Sequence, residues 1–192
     1  LRSVTVAHLL THTAGGWPND ASDPMFLFPS MTIQDLISWT LDNRPLTNVP
    51  GTSYAYSNFG YAVLGRVIET LSGKGYGSYV ANTVLKPCGI SAMKLAGNTL
   101  ADRLPGEVRY KGQLGENPYN MNVRRMDAHG GWAASAADLV RFLARVDNFP
   151  QAKDILKAAS LASMTLPTSA NPNYAKGWEV NVFNNWWHSG SL

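Results

Sequence analysis

Between the Pro50–Gly51 turn and an apolar stripe at Val63, Leu64, Val67, Ile68 and Leu71, the chain carries a phenol, a hydroxyl and a carboxamide in succession: Tyr56, Ser57 and Asn58. The stripe repeats at the spacing of one helix face, and Gly73 closes it. A polar loop fixed to the head of such a helix can present rigid hydrogen-bonding groups to a cleft. The segment thus constrains two things together, a helix that must bury one side and a loop held at its start.

The rest of the sequence is punctuated as a mostly helical chain. Thr5 caps a helix through about His12, with Leu9 and Leu10 inward and Gly15–Gly16 ending it. Residues 17–31 are rich in Pro, Asp, Ser and aromatics and read as loop. Thr32, with Asp35 three positions on, opens a second helix whose stripe is Ile33, Leu36, Ile37 and Leu41. Tyr79, Val80, Val84 and Leu85 predict a fourth helix stopped by Pro87, and residues 95–131 read as loop with short strands. Ser135 and Asp138 repeat the cap pattern ahead of Leu139, Val140, Phe142, Leu143 and Val146 on one face. A weaker helix follows around Ile155, Leu156 and Ala159. Gly177–Phe183, Asn184–Asn185 and Trp186–Leu192 read as a hairpin, because Asn tolerates the positive φ of a tight turn. The expectation is one α+β domain over residues 1–192, mainly helical over 1–170 and a sheet hairpin over 171–192.

Composition narrows the function classes. Apolar residues make up 45% and charged residues 15% of 192, the profile of a folded chain burying roughly 70% of its surface. The net charge of +3 is scattered, and the longest basic run is Arg124–Arg125, far short of a phosphate-tracking stripe, which argues against nucleic acid as partner. The single cysteine, Cys88, excludes an internal disulfide and any multi-thiolate metal site. No apolar run approaches the ~18 residues of a membrane span.

Tyr56-Ser57-Asn58 admits two readings. In one, Asn58 caps the third helix and Tyr56 packs. In the other, Tyr56 is a general base and Asn58 a partner for a substrate amide. A phenol of ordinary pKa about 10 serves as a base near neutral pH only where a cation depresses that value. This reading therefore requires a lysine or comparable cation elsewhere. His188-Ser189-Gly190-Ser191 lies on the last predicted strand, where small residues would let backbone approach a ligand. The Ser191 N–H could then be an oxyanion donor, a role worth about 3 kcal/mol; the alternative is an ordinary strand at a sheet edge.

Two further patterns are weaker. His8 and His12, four apart on one helical face, have the spacing of half a zinc site, but Leu9 stands where the His-Glu-x-x-His pattern needs Glu. A helix-terminal, hydrogen-bonded core pair is the better account, and His129 reads as a loop histidine. No Gly-x-Ser-x-Gly occurs. Ser91-Ala92-Met93-Lys94 has the Ser-x-x-Lys spacing, but the Pro87-Cys88-Gly89 turn beside it argues against the helix that pairing needs.

Taken in order, five segments resemble the beta-lactamase-related serine hydrolases, which include class C beta-lactamases, D-alanyl-D-alanine carboxypeptidases and related esterases. Val4 through Gly15 is similar to their Leu-Leu-Thr-His-Thr-Ser-Gly helix and turn, and Pro50 through Gly65 to their Pro-Gly-x-x-Tyr-x-Tyr-Ser-Asn-x-Gly-Tyr-x-x-Leu-Gly box. Lys86-Pro87-Cys88-Gly89-Ile90 resembles Pro-Leu-Gly-Met, and Gly130–Gly131 with Ser135 to Phe142 resembles the Gly-Gly…Ser-x-x-Asp-Leu-x-x-Phe helix. His188-Ser189-Gly190 matches the third box, Lys-Thr-Gly in many members and His-x-Gly in others.

The resemblance implies a beta-lactamase/transpeptidase-like fold and acyl transfer through a serine acyl-enzyme, without a cofactor. The implied substrate is a small molecule or peptide: a D-amino-acid peptide, an ester or a beta-lactam. By motif match Tyr56 is the general base, Asn58 with Ser189 and Gly190 contacts substrate, His188 is an electrostatic partner, and the Ser191 N–H is the oxyanion donor. A periplasmic or secreted location follows from the resemblance only. The nucleophilic Ser-x-x-Lys of the family belongs ahead of Leu1, so the chain reads as a piece of a longer protein. Alone it is expected to lack hydrolase activity; a covalent adduct with a fluorescent penicillin or fluorophosphonate would contradict this. An imidazole, ordinarily near pKa 6.5, is mostly neutral at pH 7, unlike the lysine that would pair a substrate carboxylate. Peptidase or esterase specificity therefore fits better than beta-lactamase. The rival is a non-catalytic relative that binds peptide or cell-wall ligands in the same cleft.

Overall fold

The computed structural model describes residues 3–109, 111 and 117–190. In chain order these form α1 (Val6–Leu10), α2 (Ile33–Asn43), α3 (Asn58–Ser72), α4 (Tyr76–Val80), β1 (Lys94–Leu95), β2 (Trp132–Ala133), α5 (Ala136–Leu143), α6 (Ala158–Met164), β3 (Glu179–Val180) and β4 (Trp186–Trp187), with short 3₁₀ turns between them. The result is α+β. Two compact units are present, one of residues up to Leu64 with Ala162–Gly190, the other Gly65–Leu161.

The first unit is built around the two capped helices the sequence predicts. Thr5 Oγ1 accepts the His8 N–H, and the Thr5 N–H reaches His8 Nδ1 at 3.3 Å, closing a reciprocal cap on α1. Thr32 Oγ1 accepts the Asp35 N–H and donates to its carboxylate, which starts α2. Leu9 of α1, Leu36 of α2, and Phe59, Ala62 and Leu64 of α3 then bury together with Ala14, Trp17 and Met25. Leu36 and Phe59 are wholly enclosed, each worth about 1.5–3 kcal/mol of apolar burial. The Trp17 ring meets Phe59 edge to face at 5.2 Å while its indole N–H donates to the Arg44 carbonyl.

Gly15 ties this core to the Tyr-Ser-Asn loop. It sits at φ 90°, its carbonyl accepts both the Thr47 and Asn48 N–H groups, and a Cβ there would lie 2.3 Å from the Asn48 carbonyl oxygen. Only a residue without a side chain lets the two backbones cross so closely. The crossing lies just ahead of the Pro50–Gly51 turn.

The hairpin is real but shorter than the sequence suggests. Glu179 pairs with Trp187 and Val180 with Trp186, antiparallel. Asn181 Oδ1 accepts the N–H groups of Phe183 and Asn185, so the chain turns at 181 and the predicted longer strands do not form. Asn184 does adopt the expected positive φ, 60°. Trp178 and Trp186 meet edge to face at 4.7 Å.

In the second unit, α4 continues through a π-helical turn over Ala81–Leu85 and a 3₁₀ turn over Lys86–Cys88, and Gly89 at φ 72° ends it. Leu85, Cys88 and Ile90 form its core, joined by Val80, Met93, Trp132, Phe142 and Ile155. β1 and β2 pair antiparallel, Lys94 with Ala133 and Leu95 with Trp132. Ser91 to Met93 is non-helical and runs into β1, so Ser91 and Lys94 do not share a helix face. An ion pair of 2.7 Å joins Arg66 to Asp127.

Three helical expectations need correction. Leu71 of α3 and Leu139, Val140 and Leu143 of α5 are exposed, and of the predicted α5 stripe Phe142 is the helical residue that joins the core. Val146 is buried, yet past the helix end. The weak helix begins only at Ala158, because the Ile155 N–H donates to the Arg145 carbonyl and so ties that stretch to the segment after α5.

Candidate active site

The Tyr56–Ser57–Asn58 loop is stitched to the turn that follows α1. The N–H groups of Gly51 and Ala55 donate to the carbonyls of Thr13 and His12 at 2.8 Å, and the Asn19 N–H donates to the Tyr56 carbonyl at 2.6 Å. His12 is the centre of the arrangement. Its backbone is left-handed at φ 55°, and its side chain is buried among the rings of Tyr56, Tyr61 and Tyr174, at centroid distances of 4.1, 5.0 and 4.8 Å. Nδ1 accepts the Ser57 N–H at 3.0 Å, and Nε2 lies 3.0 Å from the Tyr174 hydroxyl. Burial, reinforced by nearby His188, pushes the His12 pKa down to about 3, so the ring is neutral at physiological pH. His8 Nδ1 accepts the Thr5 N–H in the α1 cap and both nitrogens of His12 are engaged, the contacts of a hydrogen-bonded helix-end pair. Among the described residues no three His, Cys, Asp or Glu groups gather where a metal ion could be held.

Ser57, not Asn58, caps α3: its Oγ accepts the Gly60 N–H at 3.0 Å. This corrects the capping reading of Asn58 and leaves its carboxamide for other work. Asn58 Nδ2 donates to Asn19 Oδ1 at 2.7 Å and to Asp23 Oδ2 at 2.8 Å. Asp23 is buried, and its Oδ1 also accepts the Met25 N–H. Burial raises its pKa, against the opposing pull of those two donors. An ionised carboxylate can only accept, so the Asn58 amide nitrogen must face it, and the amide oxygen points away.

Tyr56 faces conditions opposite to those a base needs. Burial pushes its phenol above the ordinary range, and the carboxylates of Glu179 and Asp23 add to the push. His188 reaches the same cluster from the far end of the chain, its ring 6.2 Å from Tyr56 and 6.2 Å from Tyr174. Its Nδ1 donates to the Ser189 carbonyl at 2.6 Å, and Nε2 lies 3.4 Å from the Tyr174 hydroxyl. Ser189 donates through Oγ to Glu179 across the hairpin at 2.8 Å. A Cβ at Gly190 would meet nothing within 4 Å. Ser191 lies outside the described residues.

The structure thus brings Tyr56, Asn58, His188 and Ser189 into one unit, and adds four side chains that sequence reasoning did not place there: Asp23, His12, Tyr174 and Glu179. Asp23 falls in a segment read only as loop, and Tyr174 precedes the hairpin with no periodic signal. His12 carried a signal, its place in the Leu-Leu-Thr-His box, but its role depends on partners 45 and 162 positions away.

Residues 1–191 match the family model described as Beta-lactamase, and the chain belongs to that family. It is 30% identical over 175 residues to penicillin-binding protein 4 of Amycolatopsis lactamdurans, covering 85% of this chain and 44% of that protein. It is 22% identical to a putative D-alanyl-D-alanine carboxypeptidase of Escherichia coli K12, covering 90% and 46%. The chain therefore spans less than half the length of these curated relatives.

Among solved structures it resembles a D-stereospecific amidohydrolase from Streptomyces sp., with TM-score 0.75, 24% identity, and 100% and 62% of the two chains covered. A D-amino acid amidase of Ochrobactrum anthropi gives TM-score 0.71 at 21% identity, over 92% of this chain and 53% of that one. At these identities the likeness is one of fold, and it places the chain in the beta-lactamase/transpeptidase-like class.

Proposed function

We propose that the chain is part of a serine hydrolase that acts by acyl transfer on an amide or ester, its nucleophilic Ser-x-x-Lys lying upstream of Leu1. The observation that carries the reading is the approach of Tyr56 and His188, 132 positions apart in sequence, to 6.2 Å in one aromatic cluster. Tyr56 acts as the general base for the serine, Asn58 and the Ser189–Gly190 backbone hold the substrate, and the Ser191 N–H stabilises the oxyanion. Burial, Glu179 and Asp23 all raise the phenol. The lysine of the upstream motif has to supply the compensating charge. The 192 residues alone are then inactive.

An imidazole at 188, in place of the lysine that many family members carry, supports a substrate without a carboxylate to pair. Its Nδ1 donates to the Ser189 carbonyl. Amides and esters of D-amino acids are accordingly the first substrates to try. One of the similar structures is a D-amino acid amidase bound to L-phenylalanine amide.

The raised phenol also favours one rival, a relative in which Tyr56 only donates a hydrogen bond and the cleft binds ligand without chemistry. Full-length protein incubated with a fluorophosphonate probe and with D-phenylalanine amide separates the two. A serine adduct with release of ammonia supports the hydrolase. Ligand binding without adduct or turnover overturns it.

A further inference from the structure

Asn58 sits half-buried at the head of α3, and its carboxamide is engaged at one end only. Nδ2 carries two hydrogens and meets two acceptors, Asn19 Oδ1 at 2.7 Å and Asp23 Oδ2 at 2.8 Å. The Asp23 carboxylate can only accept, which fixes the Asn58 nitrogen on that side. That nitrogen in turn requires the oxygen of Asn19, not its amide nitrogen, to face it. Both partners are anchored. The Asn19 N–H donates to the Tyr56 carbonyl at 2.6 Å, and Asp23 Oδ1 accepts the Met25 N–H at 2.9 Å. The two donors of the carboxamide are therefore used inside the protein, while Asn58 Oδ1 has no hydrogen-bond partner among the described residues. What Asn58 can still offer a ligand is a lone pair.

The surrounding charge selects the kind of donor that suits this oxygen. Asp23 and Glu179 both act on the neighbouring Tyr56 phenol. Among the described residues the ion pairs join Arg66 to Glu69 and Asp127, and Arg141 to Asp138, so neither of these two carboxylates has a cation in contact. Arg44 acts on Asp23 only from beyond ion-pair distance. A cationic donor is favoured over a neutral one in such a field.

We infer that Asn58 Oδ1 receives the α-ammonium group of the substrate, and that Asn19 and Asp23 are positioning residues that keep Asn58 an acceptor only. This deepens the acyl-transfer reading and rests on it for the reaction, though not for the hydrogen-bond assignment. A free α-amine supplies both charge and N–H donors. An N-acylated one loses the charge and adds a carbonyl that Asn58 has no hydrogen left to meet. The site thereby selects amides and esters of amino acids with a free amino group over their N-acyl derivatives.

The test compares kcat/KM of full-length protein for D-phenylalanine amide, N-acetyl-D-phenylalanine amide and 3-phenylpropanamide, which lacks the amine. It is run at about pH 7, below the ordinary α-amino pKa of about 8. The free amine should lead both others by about ten- to a hundredfold, the scale of one hydrogen bond to a charged group. In Asn58→Ala its lead over 3-phenylpropanamide should shrink by about tenfold, whatever the general loss of turnover. A lead that the variant keeps overturns the inference, as does an N-acetyl amide hydrolysed as fast as the free amine. Equal handling of the free amine and 3-phenylpropanamide by the unmodified protein overturns it too, the result expected if a lysine of the chain takes up Oδ1. A second measurement needs no variant: in full-length protein labelled with ¹⁵N-asparagine, both side-chain hydrogens of Asn58 should exchange slowly with water. Exchange of either at the rate of a solvent-exposed amide removes the acceptor-only assignment. Protein that hydrolyses none of the three compounds sinks the acyl-transfer reading, and calorimetric binding of the same compounds then decides. A free amine bound about tenfold more tightly leaves the ammonium subsite standing, and equal affinities remove it.

Discussion

Asn58 donates to the buried carboxylate of Asp23 at 2.8 Å and to Asn19 Oδ1 at 2.7 Å, and these two contacts hold its amide nitrogen and leave its oxygen facing away. The same carboxylate also caps the short turn at Met25. Asp23→Ala strands two donors and should cost about 2 kcal/mol in urea unfolding. Asp23→Asn keeps an acceptor and removes a buried charge, so stability should stay within about 1 kcal/mol of wild type. Its amide would nevertheless oppose the Asn58 amide nitrogen, and kcat/KM in the full-length enzyme should fall about tenfold. Equal kinetics in the two proteins would show that the orientation of Asn58 does not matter.

Tyr56→Phe removes the proposed base while leaving its ring against His12 and His188. Turnover by full-length protein should drop by about 10²- to 10⁴-fold, with the melting temperature little changed. A variant that keeps most of its kcat would transfer the role of base to another group.

Stability should fall on mild acidification. His12 and His129 are buried and held neutral, with pKa values pushed down to about 3 and about 4. Unfolded imidazole titrates near pH 6.5, so the unfolded chain binds protons that the folded chain refuses. Stability due to each group is complete above about pH 6.5 and is lost as pH drops toward its folded pKa, at up to ~1.4 kcal/mol per pH unit. Urea unfolding between pH 7.5 and 4.5 should show this slope, and His12→Asn should flatten it. A variant slope as steep as the parent's would mean that His12 is protonated in the folded state.

Gly15→Ala should destabilise by about 2 kcal/mol or more, because it combines a positive φ with a Cβ placed 2.3 Å from the Asn48 carbonyl. Thermal unfolding measures it. Gly73→Ala is the control, since Gly73 has a positive φ of 66° but open space around its Cβ, and its cost should be the smaller of the two.

What the sequence made legible was whatever is decided within a few positions. Thr5, Thr32 and Ser135 announced the starts of α1, α2 and α5 because a cap is a contact over three residues. Gly15 and Asn184 announced turns because φ is a property of one residue. The errors lie where distant partners decide. Asn181 shortened the hairpin by offering its side chain to two N–H groups, and Ile155 was drawn from its own helix by the Arg145 carbonyl. At the site, Tyr56 and Asn58 could be singled out by their place ahead of α3. That Ser57 supplies the cap, and that Asp23 orients Asn58, depends on side-chain rotamers that no spacing rule encodes.

The indole pair on the hairpin has a practical use. Trp186 stands two residues before His188 and is edge-on to Trp178 at 4.7 Å, with Trp187 exposed beside it. Any displacement of the strand that leads into His188 alters the geometry of this indole pair. The chain thus has a native optical reporter of movement in that segment.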